Sequence, residues 1–180
     1  MQLCVNSVQE WVSENGFKFS TSTFTNSTFF SPDPNILLGK TPIIVVKEAK
    51  FLGLIFYTKL TFKNHVQYLK SSCQKALDIL LVVGHTDWGV DRIVLLRLYR
   101  ALVRSTLDYG SIVYGSARRL VLKQLDPIHH QGLRIALGAF RASPAQSVYV
   151  EAHEPSLTSR RLKLSLNYVL KLKSLLENPA

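Results

Sequence analysis

No two aspartates stand side by side anywhere in this sequence, and neither Cys-x-x-Cys nor His-Glu-x-x-His spacing occurs. The first absence leaves no ready pair of carboxylates for a two-metal centre. The second removes the familiar zinc arrangements and the metalloprotease helix. Only two cysteines are present, Cys4 and Cys73, far apart. They predict a reduced protein with two buried thiols, in the cytoplasm or nucleus. No apolar run approaches the roughly 20 residues that cross a bilayer, so no membrane partner is expected. The segment after Met1 is polar and amphipathic, which predicts no secretory leader. The five histidines are scattered, apart from His129 and His130. On a helix those two diverge by about 100° and do not chelate one ion, so capping or surface roles are expected. Gly39-Lys40-Thr41 mimics the end of a phosphate-binding loop, but Pro34 stands where that loop needs glycine. No Gly-x-Ser-x-Gly and no nucleophile–base pair is found. No catalytic and no metal-ligating residue is assigned.

What the chain does have is positive charge. Twenty-two Lys and Arg face twelve Asp and Glu, a net charge of +10. Residues 1–60 carry only +1 of this and residues 61–180 carry +9. Such a balance points to a polyanionic partner, and any such surface belongs to the second part. Hydrophobic residues make up 47%, enough for a real core.

The periodicity changes at the same place as the charge. In 1–60, Leu3, Val5, Val8, Trp11 and Val12 have helix spacing, and Asn15-Gly16 is a stop signal. After it come an FKF strand, the uncharged Ser/Thr/Phe-rich run 20–30, a Ser-Pro-Asp-Pro-Asn loop, and short strands near 36–38, 42–46 and 49–57. Past residue 60, helices are predicted from Asn64 (as cap) to Val83, and from Asp91 to Leu107. Others run from Ala117 to Leu137 with a kink at Asp126-Pro127, from Ser143-Pro144 to His153, and from Thr158 to Glu177. In the first of these, Val66, Leu69, Cys73, Leu77 and Leu80 or Leu81 face inward. The predicted class is α+β, mostly α: an N-terminal helix with a small antiparallel sheet, then a helical bundle. The domains are 1–60 and 61–180.

The stretch 95–117 (LLRLYRALVRSTLDYGSIVYGSA) concentrates the charge. Arg97, Arg100 and Arg104 fall within about 60° on a helix, with Asp108 continuing the stripe. Leu95, Leu98, Tyr99, Leu102, Val103 and Leu107 cover the opposite half. The stripe reads either as a phosphate track, since arginine makes bidentate contacts to phosphate oxygens, or as a solvated face with an Arg104–Asp108 pair. Arg118, Arg119, Lys123, Arg134 and Arg141 extend the basic character. Tyr109 and Tyr114 could stack on bases, but the apolar turn around them favours a core role. In the last helix Leu162, Leu166, Val169 and Leu176 form one apolar stripe, with Leu164, Tyr168 and Leu175 nearly opposite. That helix either packs on two sides or lacks a neighbour.

Four segments, in order, resemble one family. They are 2–20 (QLCVNSVQEWVSENGFKFS), 51–69 (FLGLIFYTKLTFKNHVQYL), 95–117 and 122–157 (LKQLDPIHHQGLRIALGAFRASPAQSVYVEAHEPSL). Together they resemble the C-terminal part of a reverse transcriptase from a non-long-terminal-repeat retrotransposon of the jockey type. The resemblance implies that 1–60 is the end of a polymerase palm and 61–180 a thumb and connecting region. It implies an RNA/DNA template–primer duplex as partner, with Phe51, Leu52 and Gly53 as the primer grip. Arg97, Arg100, Arg104, Arg118, Arg119, Lys123, Arg134 and Arg141 would then be the nucleic-acid contacts. It places the catalytic aspartates and their Mg2+ upstream, in palm and fingers that this chain lacks, so no cofactor is expected here and the chain alone is expected to be inactive.

Two positions depart from the pattern. The family's lysine after the FKFS-like strand is absent from Ser20-Thr21-Ser22-Thr23-Phe24, and Tyr57 stands where the grip strand carries aspartate. Both suggest a decayed or frameshifted copy. The alternatives are therefore a non-functional product of a degenerate element, or a helical module co-opted for protein contact.

Overall fold

The computed structural model describes residues 2–17, 25–26, 37–38, 41–42, 44–45, 48–57, 59–84 and 89–174. The predicted FKF strand beyond Phe17, most of the Ser/Thr/Phe-rich run, the Ser-Pro-Asp-Pro-Asn loop and most of 84–89 lie outside them. The chain divides into two units, Met1–Thr61 and Phe62–Ala180. The fold is mostly helical, and the described strands, all short, lie in the first unit.

In the first unit α1 (Gln2–Glu14) turns Val12 inward, while Trp11 stacks on Phe17 with ring centroids 6.2 Å apart. Cys4 is exposed, contrary to the buried thiol expected, because it lies off the face that Val12 marks. Among the described residues the strands form three two-stranded ladders. β2 (Leu37–Leu38) and β3 (Thr41–Pro42) are antiparallel, as are β5 (Glu48–Phe51) and β6 (Leu54–Tyr57). β1 (Thr25–Asn26) and β4 (Ile44–Val45) pair in parallel. The β5–β6 turn is Leu52-Gly53, both with positive φ (45° and 80°). That is the backbone of the two-residue turn whose twist matches paired strands. Gly53 adopts it freely, whereas Leu52 is held there against its Cβ.

Every described element of the second unit is helical. α2 (Lys63–Val83) buries Val66, Leu69, Cys73, Leu77 and Leu80, the predicted inward set; Leu81 stays outside. Its cap is Phe62 in the left-handed region, not Asn64, which sits inside the first turn. The arginine-striped rod is helical throughout: α3 (Arg92–Tyr99), a π segment (Arg100–Arg104) and α4 (Ser105–Asp108). Asp91 caps it, accepting from the Ile93 amide at 3.2 Å. The widened turn leaves carbonyls for side chains to take. Ser105 Oγ donates to Ala101 O, and Thr106 Oγ1 to Leu102 O at 2.8 Å. Cys73 Sγ lies 4.0 Å from Val103 O, and burial pushes its thiol up to about 11.

Gly110 (φ 65°) ends the rod and opens α5 (Ser111–Tyr114), where a Tyr/Gly-rich turn was expected. Tyr114 is fully buried and donates to Leu107 O, while Tyr109 is exposed and outside the core. The predicted long helix is divided into α6 (Arg119–Leu122), a 3-10 turn (Lys123–Leu125) and α7 (Asp126–Leu137). Pro127 sits in the first turn of α7, where a missing N–H costs nothing. Gly138 (φ 64°) closes α7. α8 (Ala145–Ala152) begins after Pro144, which occupies the cap rather than the first helical position. α9 (Leu157–Ser174) follows.

α7 is the centre of this unit, packed against α2, α3 and α8. Gly132 makes that crossing possible, since a Cβ there would lie 2.7 Å from the Tyr99 ring.

Candidate nucleic-acid interface

The arginine stripe faces protein along much of its length. Glu154, in the turn between α8 and α9, is 4% exposed. Arg100 Nε donates to its Oε1 at 2.6 Å, and Arg104 Nη1 donates to the same oxygen at 2.7 Å. Arg100 Nη2 also donates to the Ala152 carbonyl at 3.2 Å. One turn on, Asp108 accepts from Arg160 of α9 through Nε (3.1 Å) and Nη2 (2.8 Å). Hydrogen bonding to Asp108 holds that guanidinium above its ordinary value. Arg104 Nε stands 3.9 Å from Asp108, so the expected i,i+4 pair is present as the long side of this cluster. A buried carboxylate needs such partners, because unpaired it would forfeit several kcal/mol of solvation. Of the stripe, Arg97 alone is exposed.

Beside the clamp runs a second buried polar chain. His129 is 1% exposed, not at the surface as expected. Its Nε2 donates to the Pro155 carbonyl at 3.2 Å, which leaves Nδ1 bare to accept from the Tyr99 hydroxyl. This assigns the Nε2–H tautomer. Burial lowers the His129 pKa to about 4 and raises those of Tyr99 and Tyr114. His130 pairs with the Tyr149 hydroxyl. The His153-Glu154-Pro155 turn is therefore a hub. His153 closes α8 at φ 53°, Glu154 takes the two arginines, and Pro155 takes His129. The sequence pattern places His153 at the end of one helix and gives Glu154 and Pro155 no role beyond the gap before the next. The available signal was a shortage: Glu151 and Glu154 are the only carboxylates between Asp126 and Glu177.

The remaining candidate residues sit elsewhere on the helical unit. Arg118, Arg119, Lys123 and Arg141 are exposed. Arg119 and Lys123 join Arg161 along an open groove of about 540 Å3 between the α5–α6 segment and α9. Ser116, Thr158 and Ser165 add hydroxyls, and Asp126 is the one carboxylate in its lining. Arg119, Lys123 and Arg161 make no ion pair among the described residues. Arg134 and Arg141 line a separate groove of about 840 Å3 at the end of α2. There Arg134 is anchored through Nη2 to the Ser143 carbonyl at 2.7 Å. In the first unit Phe51 and Leu52 are exposed at the hairpin tip, with Leu54 buried beneath. No group of His, Cys, Asp and Glu among the described residues could hold a metal ion. No described helix is long and apolar enough to cross a membrane.

The chain is 25% identical, over 97% of its length, to the RNA-directed DNA polymerase from mobile element jockey of Drosophila funebris. The chain is thus similar in sequence to a jockey-type retrotransposon polymerase. It is also 30% identical over 81 residues, 45% of the chain, to the retrovirus-related Pol polyprotein from type-1 retrotransposable element R1 of Bradysia coprophila. The chain spans 19% of the jockey polymerase and 8% of the R1 polyprotein. No protein-family model matches it, and no solved structure does. Residues joined in the clamp, Arg100, Arg104 and Glu154, come from two separate segments that carry the jockey-type resemblance.

Proposed function

We propose that this chain is the part of a retrotransposon reverse transcriptase that holds the template–primer duplex. The helical unit would serve as thumb and connection, and the first unit as the end of the palm. The observation that carries this reading is the groove between α5–α6 and α9. There Arg119, Lys123 and Arg161 face open space with no carboxylate bound to them among the described residues. Arginine forks match phosphate oxygens, lysine adds a mobile point charge, and hydroxyls complete backbone contacts. Arg97 and Arg118 extend the surface, and Arg134 and Arg141 offer a second patch. Recognition would be by charge and duplex shape, since nothing in the groove is built to read base edges.

Phe51, Leu52 and Gly53 would approach the primer end through the exposed hairpin tip, where the absence of a Cβ at Gly53 leaves room for a strand. Mg2+ would be held by carboxylates of the polymerase outside this chain, and it would align the 3′ oxygen with the incoming phosphate. The residues present here bind and orient.

The test is binding of the chain to a short RNA–DNA hybrid by fluorescence anisotropy across a salt series. Affinity should fall steeply as salt rises. Salt-independent binding, or none, would refute the reading. Primer extension by the chain alone should give no product.

A further inference from the structure

The groove that Arg134 and Arg141 line differs from the one beside α9 in what borders it. Leu81 of α2 and Ile135 of α7 give it apolar walls, and no carboxylate stands in its lining among the described residues. Neither arginine is in an ion pair among the described residues. Ala139 and Arg141 line the groove, and Phe140 between them is 85% exposed. An exposed apolar side chain decides nothing by itself. This one is displayed beside cations on a turn tied at three points. Ala139 N donates to Arg134 O at 2.9 Å, Ser143 N to Phe140 O at 3.0 Å, and Arg134 Nη2 to the Ser143 carbonyl at 2.7 Å. A turn so held has little left to order when it binds. Both grooves reach the start of α7: Asp126 lines the one beside α9, and Pro127, next in the chain, lines this one.

We propose that this groove holds an unpaired strand where it leaves the duplex, with phosphates on Arg134 and Arg141 and a base stacked on Phe140. The inference rests on the duplex-holding reading above and adds a second site to it. The aromatic selects for the unpaired state. Bases inside a duplex are already stacked on one another, whereas an unpaired base has a free face for Phe140. A neutral apolar partner would cover the ring and leave the two arginines unmet. A single strand satisfies both, and does so for any sequence, because every base has a π face.

The experiment uses the full chain and fluorescence anisotropy with three probes. They are a blunt RNA–DNA hybrid, the same hybrid with about six unpaired nucleotides on the RNA strand at each end in turn, and that tail as a free single strand. A tail should tighten binding about tenfold over the blunt hybrid, the scale of one base–aromatic stack. Phe140→Ala and Phe140→Leu should each lose most of this gain, and Phe140→Trp should keep it. None should change affinity for the blunt hybrid. Arg141→Ala should lower the salt dependence of the gain. Both positions are exposed, so every variant should keep its circular dichroism. A tail that adds nothing at either end would overturn the proposal, as would a gain that survives Phe140→Ala. A gain kept by Phe140→Leu would overturn it too, since leucine offers apolar contact without a stacking face. Failure of the blunt hybrid to bind would strike the duplex-holding reading. A free-strand affinity indifferent to Phe140→Ala would strike this one.

Discussion

Two sets of cations on the helical unit look alike in sequence and differ in what surrounds them. Arg100, Arg104 and Arg160 are turned onto Glu154 and Asp108 and stitch the π segment to the α8–α9 turn and α9. Arg119, Lys123 and Arg161 line an open groove and have no ionic partner among the described residues. The first set ties elements together and should govern stability. The second set is available to a polyanion and should govern binding. An arginine at regular helical spacing is thus no evidence of a ligand until the carboxylates of the fold have been placed.

The comparison breaks most sharply at Glu154. Glu154→Ala leaves Arg100 and Arg104 half-buried without their carboxylate and should cost about 3–5 kcal/mol in urea unfolding. Acid should act nearly as strongly through His129. Its pKa is about 4 in the folded chain against 6.5 ordinarily. The neutral ring is favoured by folding, so its contribution is complete above about pH 6.5. It is lost as pH falls through about 4, a difference of about 3 kcal/mol. Urea midpoints measured from pH 7 to pH 4 should fall, and His129→Gln should flatten the curve.

Gly132→Ala should cost about 2 kcal/mol, because its methyl would collide with the Tyr99 ring and force α7 away from α3. Tyr99→Phe keeps the ring packing but strands His129 Nδ1, a loss of about 1 kcal/mol by thermal unfolding. Arg119→Ala, Lys123→Ala and Arg161→Ala should leave stability within about 0.5 kcal/mol of wild type.

Much of the fold was legible because period and breakers agree. The α2 core residues follow a single helical stripe, Gly138 ends α7, and Asp126-Pro127 marks a real division. The rest was hidden for physical reasons. Asn64 is a good cap by type, yet Phe62 takes the left-handed position before the helix. The π segment has no signature of its own in RALVR, since it arises where hydroxyls and Cys73 accept the task of holding displaced carbonyls. At the candidate site Arg119 and Lys123 were readable from the sequence, but Arg161 of the last helix was not, and neither were the ionic partners of the arginine stripe. Arg100 and Glu154 are separated by more than fifty residues, and only the packing of α7 between α3 and α8 brings them together. The same packing turned His129 from an apparent surface residue into the buried link between Tyr99 and Pro155.

The most direct test is the salt dependence of RNA–DNA hybrid affinity for the Arg119→Ala/Lys123→Ala/Arg161→Ala chain beside the wild type. The slope of log affinity against log salt should fall by about 3, one for each phosphate contact removed, with the unfolding transition unchanged. An unchanged slope in a folded triple variant would contradict the assignment of the groove as the phosphate-binding surface.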